Sequence, residues 1–280
     1  MLGVIDVGGG LRSIYSAGIL DYCLEHGIVF DYCVGVAEGA VTLSAYIAKQ
    51  HGFARRYFME YIFRSDSMGL KNMQRNRAYL NQEYLWDELA GSNGESPFDY
   101  GAFNSSDQQL TIVATDIWTG QPTYFTKKDI DQNEYSAFKA ATCPPAINPP
   151  CVCKGKLYYS GFFSDPIPLE LALDSGCGRI ILLLTRPRYD YDTVEYRKLC
   201  GRILRRKYPL FAERIINQPM LYKEKLETAM LYERKRKLYI SAPQSVYDMK
   251  TYSKNELSMK ILYQEGHRDA RWLRRYLERG

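Results

Sequence analysis

Two glycine-framed turns hold the residues of this chain that could do chemistry. The first is Asp6-Val7-Gly8-Gly9-Gly10-Leu11-Arg12-Ser13, which ends a short apolar run from Leu2 to Val7 and precedes a helical pattern. Three glycines let the backbone turn its N–H groups toward one point, and a helix starting just beyond adds positive potential. Such a cradle holds an anion, either a phosphate or the oxyanion that develops in acyl transfer. The second turn, Gly35-Val36-Ala37-Glu38-Gly39, again joins a strand-like run to a helical one. A G-x-S-x-G turn at such a place is a nucleophile elbow, whose strained backbone presents a serine hydroxyl above the sheet. Here the glycine frame is complete and a methyl stands at the nucleophile position, Ala37.

Other chemistries fit these residues less well. A dinucleotide cradle wants a third glycine where the chain has Ser13, and an acid at the end of the second strand, whereas Asp31 precedes that strand. Glu38 could hold a water as general base, and Ser160 or Cys143 could supply a relocated nucleophile if folded beside Gly8 to Gly10. Each has a plainer reading. An acid in a first helical turn answers the dipole, Ser160 is a short polar residue in a turn, and Cys143 is a small buried apolar one. Cys151 and Cys153 make at most half of a metal site, because the chain has only three His and none lies near them in sequence. No metal and no cofactor is expected, and the seven cysteines, without a CxxC pair, read as reduced thiols.

The elements that must position the turns alternate strand and helix. The strand ending at Val7 leads to a helix from Ser13, a plausible N-cap, to His26, with Gly27 closing it. A second strand, Tyr32 to Val36, is followed by a helix from Ala40 to Lys49. This repetition predicts an α/β fold with a mainly parallel sheet. Leu110 to Thr115 and Pro122 to Phe125 read as an antiparallel hairpin. A helix near Glu134 to Thr142, a proline-rich loop from Pro144 to Pro150 and a short strand from Leu157 to Tyr159 follow. Pro168 to Ser175 reads as a helix, and Arg179 to Thr185 is the strongest buried-strand signal. Residues 191 to 236 are helix-like and charged, Leu238 to Ser241 is one more strand, and Lys254 to Arg279 returns to helix.

With 280 residues, 46% of them hydrophobic and 25% charged, the composition is that of a globular chain and excludes collagen-like, coiled-coil and wholly disordered ones. No apolar run approaches the roughly 20 residues that a membrane-spanning helix needs. The opening MLGVIDVGGG lacks a basic region before an apolar one, so the expected location is the cytoplasm. The net charge of +5 is unevenly spread: from Ile181 onward there are 23 Lys and Arg against 12 Asp and Glu, leaving 14 against 20 before it. Clusters at Arg202 to Lys207, Arg234 to Lys237 and Arg271 to Arg279 could attract lipid phosphates, although most such clusters are solvated helix faces. The expected organisation is a core of residues 1–185 with a mostly helical, basic extension of residues 186–280 in the same structural unit.

In combination these motifs resemble the patatin-like phospholipases, particularly a bacterial group of about this length. The oxyanion loop of that family, a glycine triplet followed by a basic residue, is similar to Gly8-Gly9-Gly10-Leu11-Arg12, and its elbow to Gly35 through Gly39 with Asp31-Tyr32 leading in. Pro97-Phe98-Asp99-Tyr100, Val113-Ala114-Thr115-Asp116 with Thr119-Gly120, and Ser164-Asp165-Pro166-Ile167-Pro168 resemble the same group. So do Lys207-Tyr208-Pro209 and Gly266-His267-Arg268-Asp269-Ala270, so the likeness runs nearly end to end. It implies a three-layer α/β/α sandwich and, in active members, a Ser–Asp dyad that hydrolyses acyl esters of phospholipids. It also implies a phospholipid or fatty-acyl ligand, with peripheral contact to anionic membrane through the basic last third and no nucleic acid.

Both dyad positions depart from that pattern. The serine position is Ala37, and the aspartate of the family's D-G-G or D-G-A motif is replaced in Ser160-Gly161-Phe162. Gly8, Gly9, Gly10 and Arg12 keep the oxyanion loop, while Ser13 replaces the glycine that usually follows the basic residue. A lone alanine at an elbow is also what an engineered nucleophile variant looks like. Two losses together, with Glu38 where the family has a small residue, read as natural inactivity, since loss of the nucleophile alone costs a serine hydrolase about a million-fold in turnover. The expectation is a pseudoenzyme that keeps a lipid-binding or regulatory role; the alternative is an acyl hydrolase working through relocated groups.

Overall fold

The structure, a computed structural model, describes residues 1–190, 194–252 and 254–279. Among these residues eight strands form one mixed sheet: β1 (Leu2–Asp6), β2 (Tyr32–Val36), β3 (Gln109–Asp116), β4 (Pro122–Thr126), β5 (Cys151–Cys153), β6 (Lys156–Ser160), β7 (Arg179–Leu183) and β8 (Leu238–Ser241). The sheet order is β5-β6-β3-β2-β1-β7-β8, with β4 also on β3. β3, β2, β1, β7 and β8 run parallel, and β4, β6 and β5 are antiparallel additions. The α-helices in chain order are α1 (Ile14–Glu25), α2 (Gly39–Ile47), α3 (Phe53–Arg56), α4 (Leu70–Asn76), α5 (Tyr100–Ser105), α6 (Ser136–Ala141), α7 (Leu169–Asp174), α8 (Val194–Leu204), α9 (Pro209–Arg234) and α10 (Glu256–Glu278).

Alternation along the central strands explains the layering. Val4, Cys33 and Ile181 face a core built with α1, α2 and α10, while their chain neighbours Ile5, Val34 and Leu182 face a second core built with α7 and α9. Strands covered on both faces read as uninterrupted apolar runs, and so β1, β2 and β7 did. The result is helices on both sides of a mixed sheet, a three-layer α/β/α sandwich. A third cluster, with Ile117, Cys143, Tyr159 and Phe211, packs α8 and the start of α9 beyond β6. α10 docks on α1 backbone to backbone. A Cβ at Gly18 would lie 2.2 Å from the Tyr263 carbonyl oxygen, and one at Gly266 would lie 2.1 Å from that of Tyr15.

Several expectations change. Ser13 makes no side-chain cap; a 3-10 turn, Gly10–Ser13, feeds directly into α1. Of the helical run expected over 191–236, residues 191–193 lie outside the described residues, and the rest holds two helices separated at Arg205–Tyr208, with Pro209 opening the second. β5 was not foreseen, because three residues with Val152 outward carry no periodic signal. The last third also does more than add helices: β8 joins the sheet parallel to β7. No helix among the described residues is long and apolar enough to cross a membrane.

Candidate functional site

The two glycine turns meet at the C-terminal ends of the parallel strands. Gly8 and Gly10 have φ of 65° and 66°, a left-handed conformation suited to glycine. Gly8 lies so close to the elbow that a Cβ there would come within 2.3 Å of the Val36 carbonyl oxygen and 3.0 Å of the Ala37 Cβ. At the elbow Ala37 itself has φ of 49°, a conformation that costs an L-residue about 1–2 kcal/mol. The strained geometry of a nucleophile elbow is therefore retained although its residue bears no hydroxyl. Gly39 permits α2 to start against β1, since a Cβ there would sit 2.2 Å from the Asp6 carbonyl oxygen.

Asp6 ties these pieces together. Its carboxyl accepts from the Gly8 N–H at 3.0 Å, the Ser16 hydroxyl at 3.0 Å and the Thr42 hydroxyl at 2.5 Å, so one buried group joins the glycine loop, α1 and α2. Burial pushes its pKa up to about 6, against the pull of those three donors. On the far side Thr185 donates its hydroxyl to the Gly8 carbonyl.

Glu38, the residue after the alanine, decides what the cradle can do. It sits at the N-cap position of α2 but makes no cap bond there. Its carboxyl instead reaches back 28 residues and accepts the Gly10 N–H at 2.7 Å. Glu38 is 6% exposed. Burial raises its pKa, and the N–H groups of Gly10 and Gly9 and the charge of Arg12 pull the other way. The Leu11 N–H donates to the Thr251 carbonyl at 2.8 Å, and Arg12 reaches the Thr251 hydroxyl at 3.3 Å. Gly8, Gly10 and Leu11 thus all aim their N–H groups at acceptors within the chain, and the acceptor at the centre is a carboxyl.

Ser160 comes to the same place by strand register. β2 leaves the edge of β3 at Val36, paired with Val113, and β6 takes over that edge with Ser160 paired to Ala114. β4 occupies the opposite edge of β3 over the same residues. The two sequence-expected dyad positions, Ala37 and Ser160, are thereby adjacent at the end of β2. The Ser160 hydroxyl accepts the Phe162 N–H at 3.4 Å, and it meets no carboxylate or imidazole among the described residues. Cys143 meets Ser160 through its backbone, its carbonyl accepting the Ser160 N–H at 3.0 Å, but its thiol points away. Its thiol donates to the Pro149 carbonyl at 3.2 Å within the third apolar cluster, and burial holds its pKa well above the ordinary thiol value. Asp165 accepts from the Tyr124 hydroxyl at 2.9 Å and lies 3.5 Å from Lys225, a structural tie between β4 and α9.

Asp6, Thr42, Thr185 and Thr251 were not foreseen as parts of this site. Asp6 alone left a trace, as a carboxylate ending an apolar strand just before three glycines.

A family model described as patatin-like phospholipase matches residues 7–173, from the glycine loop to α7. The chain belongs to the patatin-like phospholipase family. The uncharacterized protein YjjU of Escherichia coli K12 is 26% identical over 205 residues, covering 72% of this chain and 57% of YjjU. VipD from Legionella pneumophila shares the fold with a TM-score of 0.50 at 12% identity, covering 97% of this chain and 66% of VipD. The chain therefore spans well under the full length of either relative. The glycine loop and the elbow both lie inside the matched residues.

Proposed function

We propose that this patatin-like protein does not hydrolyse acyl esters and that it keeps a lipid-binding or regulatory role. The observation that carries the first half is the Glu38 carboxyl bonded to the Gly10 N–H at 2.7 Å beside a methyl at Ala37. An oxyanion hole works by aiming N–H donors at the place where negative charge develops. Here a side chain of the protein already sits on a donor of that loop, and neither Ala37 nor Ser160 supplies the nucleophile and carboxylate of a dyad. Relocated chemistry is disfavoured by the same geometry: Glu38 is bound to the loop and Cys143 is held as a buried neutral thiol. A lipid or fatty-acyl ligand is the reading that family membership supports.

The test is release of p-nitrophenol from short acyl esters by the purified chain, run beside Glu38→Gln, Ser160→Ala and Cys143→Ala. The expected rate equals that of buffer in all four. A wild-type rate that one of these substitutions abolishes would overturn the proposal. The lipid half is read separately by titration with a fluorescent fatty acid, where saturable micromolar binding is expected and its absence would remove that half alone.

A further inference from the structure

A cleft lies at the other end of the sheet from the glycine loop. Its walls are the first residues of β7 and β8 and the C-terminal ends of α9 and α10, and its cavity measures about 540 Å³, within the roughly 300–1,000 Å³ of small-ligand sites. Register separates it from the elbow. Arg179 pairs with Leu2 and Leu183 with Asp6, so four residues of strand, about 13 Å, lie between the cleft wall and the start of the glycine loop. Four arginines line it, Arg179, Arg236, Arg275 and Arg279.

We propose that this cleft binds a phosphate ester, with the arginines holding the phosphate. Basic residues at helix C-termini are common because they answer the helix dipole, and that plain reading is tested by charge. The ends of α9 and α10 supply about −0.5 each, roughly −1 against four guanidinium charges. Nearby carboxylates do not close the gap. Glu233, which also lines the cleft, is held bidentate by Arg188 at 2.7 and 2.9 Å, and Glu278 is paired with Arg274 at 2.8 Å. None of the four lining arginines makes an ion pair among the described residues.

The cleft is also partly fixed in place. Arg179 donates to the Leu277 carbonyl at 3.1 Å, and the Tyr276 hydroxyl donates to the Arg236 carbonyl at 3.0 Å. The Tyr239 and Tyr276 rings stack at 5.4 Å, and Arg275 lies over the Trp272 ring at 4.6 Å from its centroid. A planar guanidinium held on a ring offers two parallel donors to phosphate oxygens, the geometry in which arginine outperforms lysine. Trp272 remains 57% exposed at the rim, where the carbon portion of an ester could contact it.

The experiment uses the full chain and two phosphate sources. Inorganic pyrophosphate is titrated calorimetrically, and co-flotation is measured with phosphatidylcholine vesicles with and without phosphatidic acid. The cleft variant is Arg236→Glu with Arg275→Glu. A control of equal charge change, Arg202→Glu with Arg206→Glu, alters exposed residues at and just beyond the C-terminal end of α8 that do not line the cleft. Wild type is expected to bind at least one probe, the cleft variant to bind it at least about tenfold more weakly, and the control to stay within about twofold. Binding to pyrophosphate shows that a soluble phosphate group suffices, and binding to the acidic vesicles alone identifies a lipid headgroup. Binding of neither probe, or a control weakened as much as the cleft variant, would overturn the proposal. Unchanged thermal midpoints of the variants exclude unfolding as the cause.

Discussion

Protonation of Asp6 should set a pH dependence of stability that can be isolated by one substitution. The carboxyl is fully buried, and its pKa rises from 3.8 to about 6 on folding. Below the unfolded value both states are protonated and the group contributes its full stabilisation. As pH rises toward about 6 the unfolded chain ionises first, and the folded state loses about 1.4 kcal/mol per pH unit. Above about 6 the loss is complete, at about 3 kcal/mol. Asp6→Asn removes the titration. The difference in unfolding free energy between wild type and Asp6→Asn, measured by urea denaturation from about pH 3.5 to 7, should therefore fall by about 3 kcal/mol and then level off. Subtracting the variant removes the other titrating groups, apart from Glu38, whose charge adds to the rise at Asp6. A difference that stays flat, or that grows with pH, would mean that the donors from Gly8, Ser16 and Thr42 match or outweigh burial.

Three further outcomes follow from the site. Ala37→Gly should stabilise the fold by up to about 1 kcal/mol in the same denaturation assay, since relief of the left-handed strain exceeds the entropy that glycine adds to the unfolded chain. Gly39→Ala should abolish soluble expression or cost more than about 3 kcal/mol, because its Cβ would sit 2.2 Å from the Asp6 carbonyl oxygen and no flexible side chain can yield there. Glu38→Ala should cost about 1–3 kcal/mol by stripping the buried Gly10 N–H of its acceptor, and amide hydrogen exchange at Gly10 should accelerate with it.

The sequence made the sheet and the two turns legible for a physical reason. β1, β2 and β7 are covered on both faces, so they appear as apolar runs, and glycines mark where their backbone must turn. Family resemblance then placed Ala37 and Ser160 at one site, which the registers of β2 and β6 on β3 bring together. Glu38 shows what remained hidden. Its place in a first helical turn suggested a dipole interaction, but its partner is an amide 28 residues earlier, a contact that exists only once two loops fold against each other. Thr251 was invisible for the same reason, because it binds Leu11 and Arg12 from the far end of the chain. β5 and the 3-10 turn before α1 escaped because they are too short to carry a period.

In the proposed inactive protein, Ala37 and Ser160 supply no dyad and Glu38 occupies the loop that an oxyanion would need. The direct measurement is p-nitrophenyl ester hydrolysis by the pair Ala37→Ser with Ser160→Asp, made once with Glu38 retained and once with Glu38→Ala added. The pair alone should stay at the buffer rate, and the triple variant should exceed it by at least about a hundredfold, the scale of one oxyanion-hole interaction. Equal rates in the two variants, or turnover by wild type, would show that Glu38 does not block the loop or that the protein is an active hydrolase.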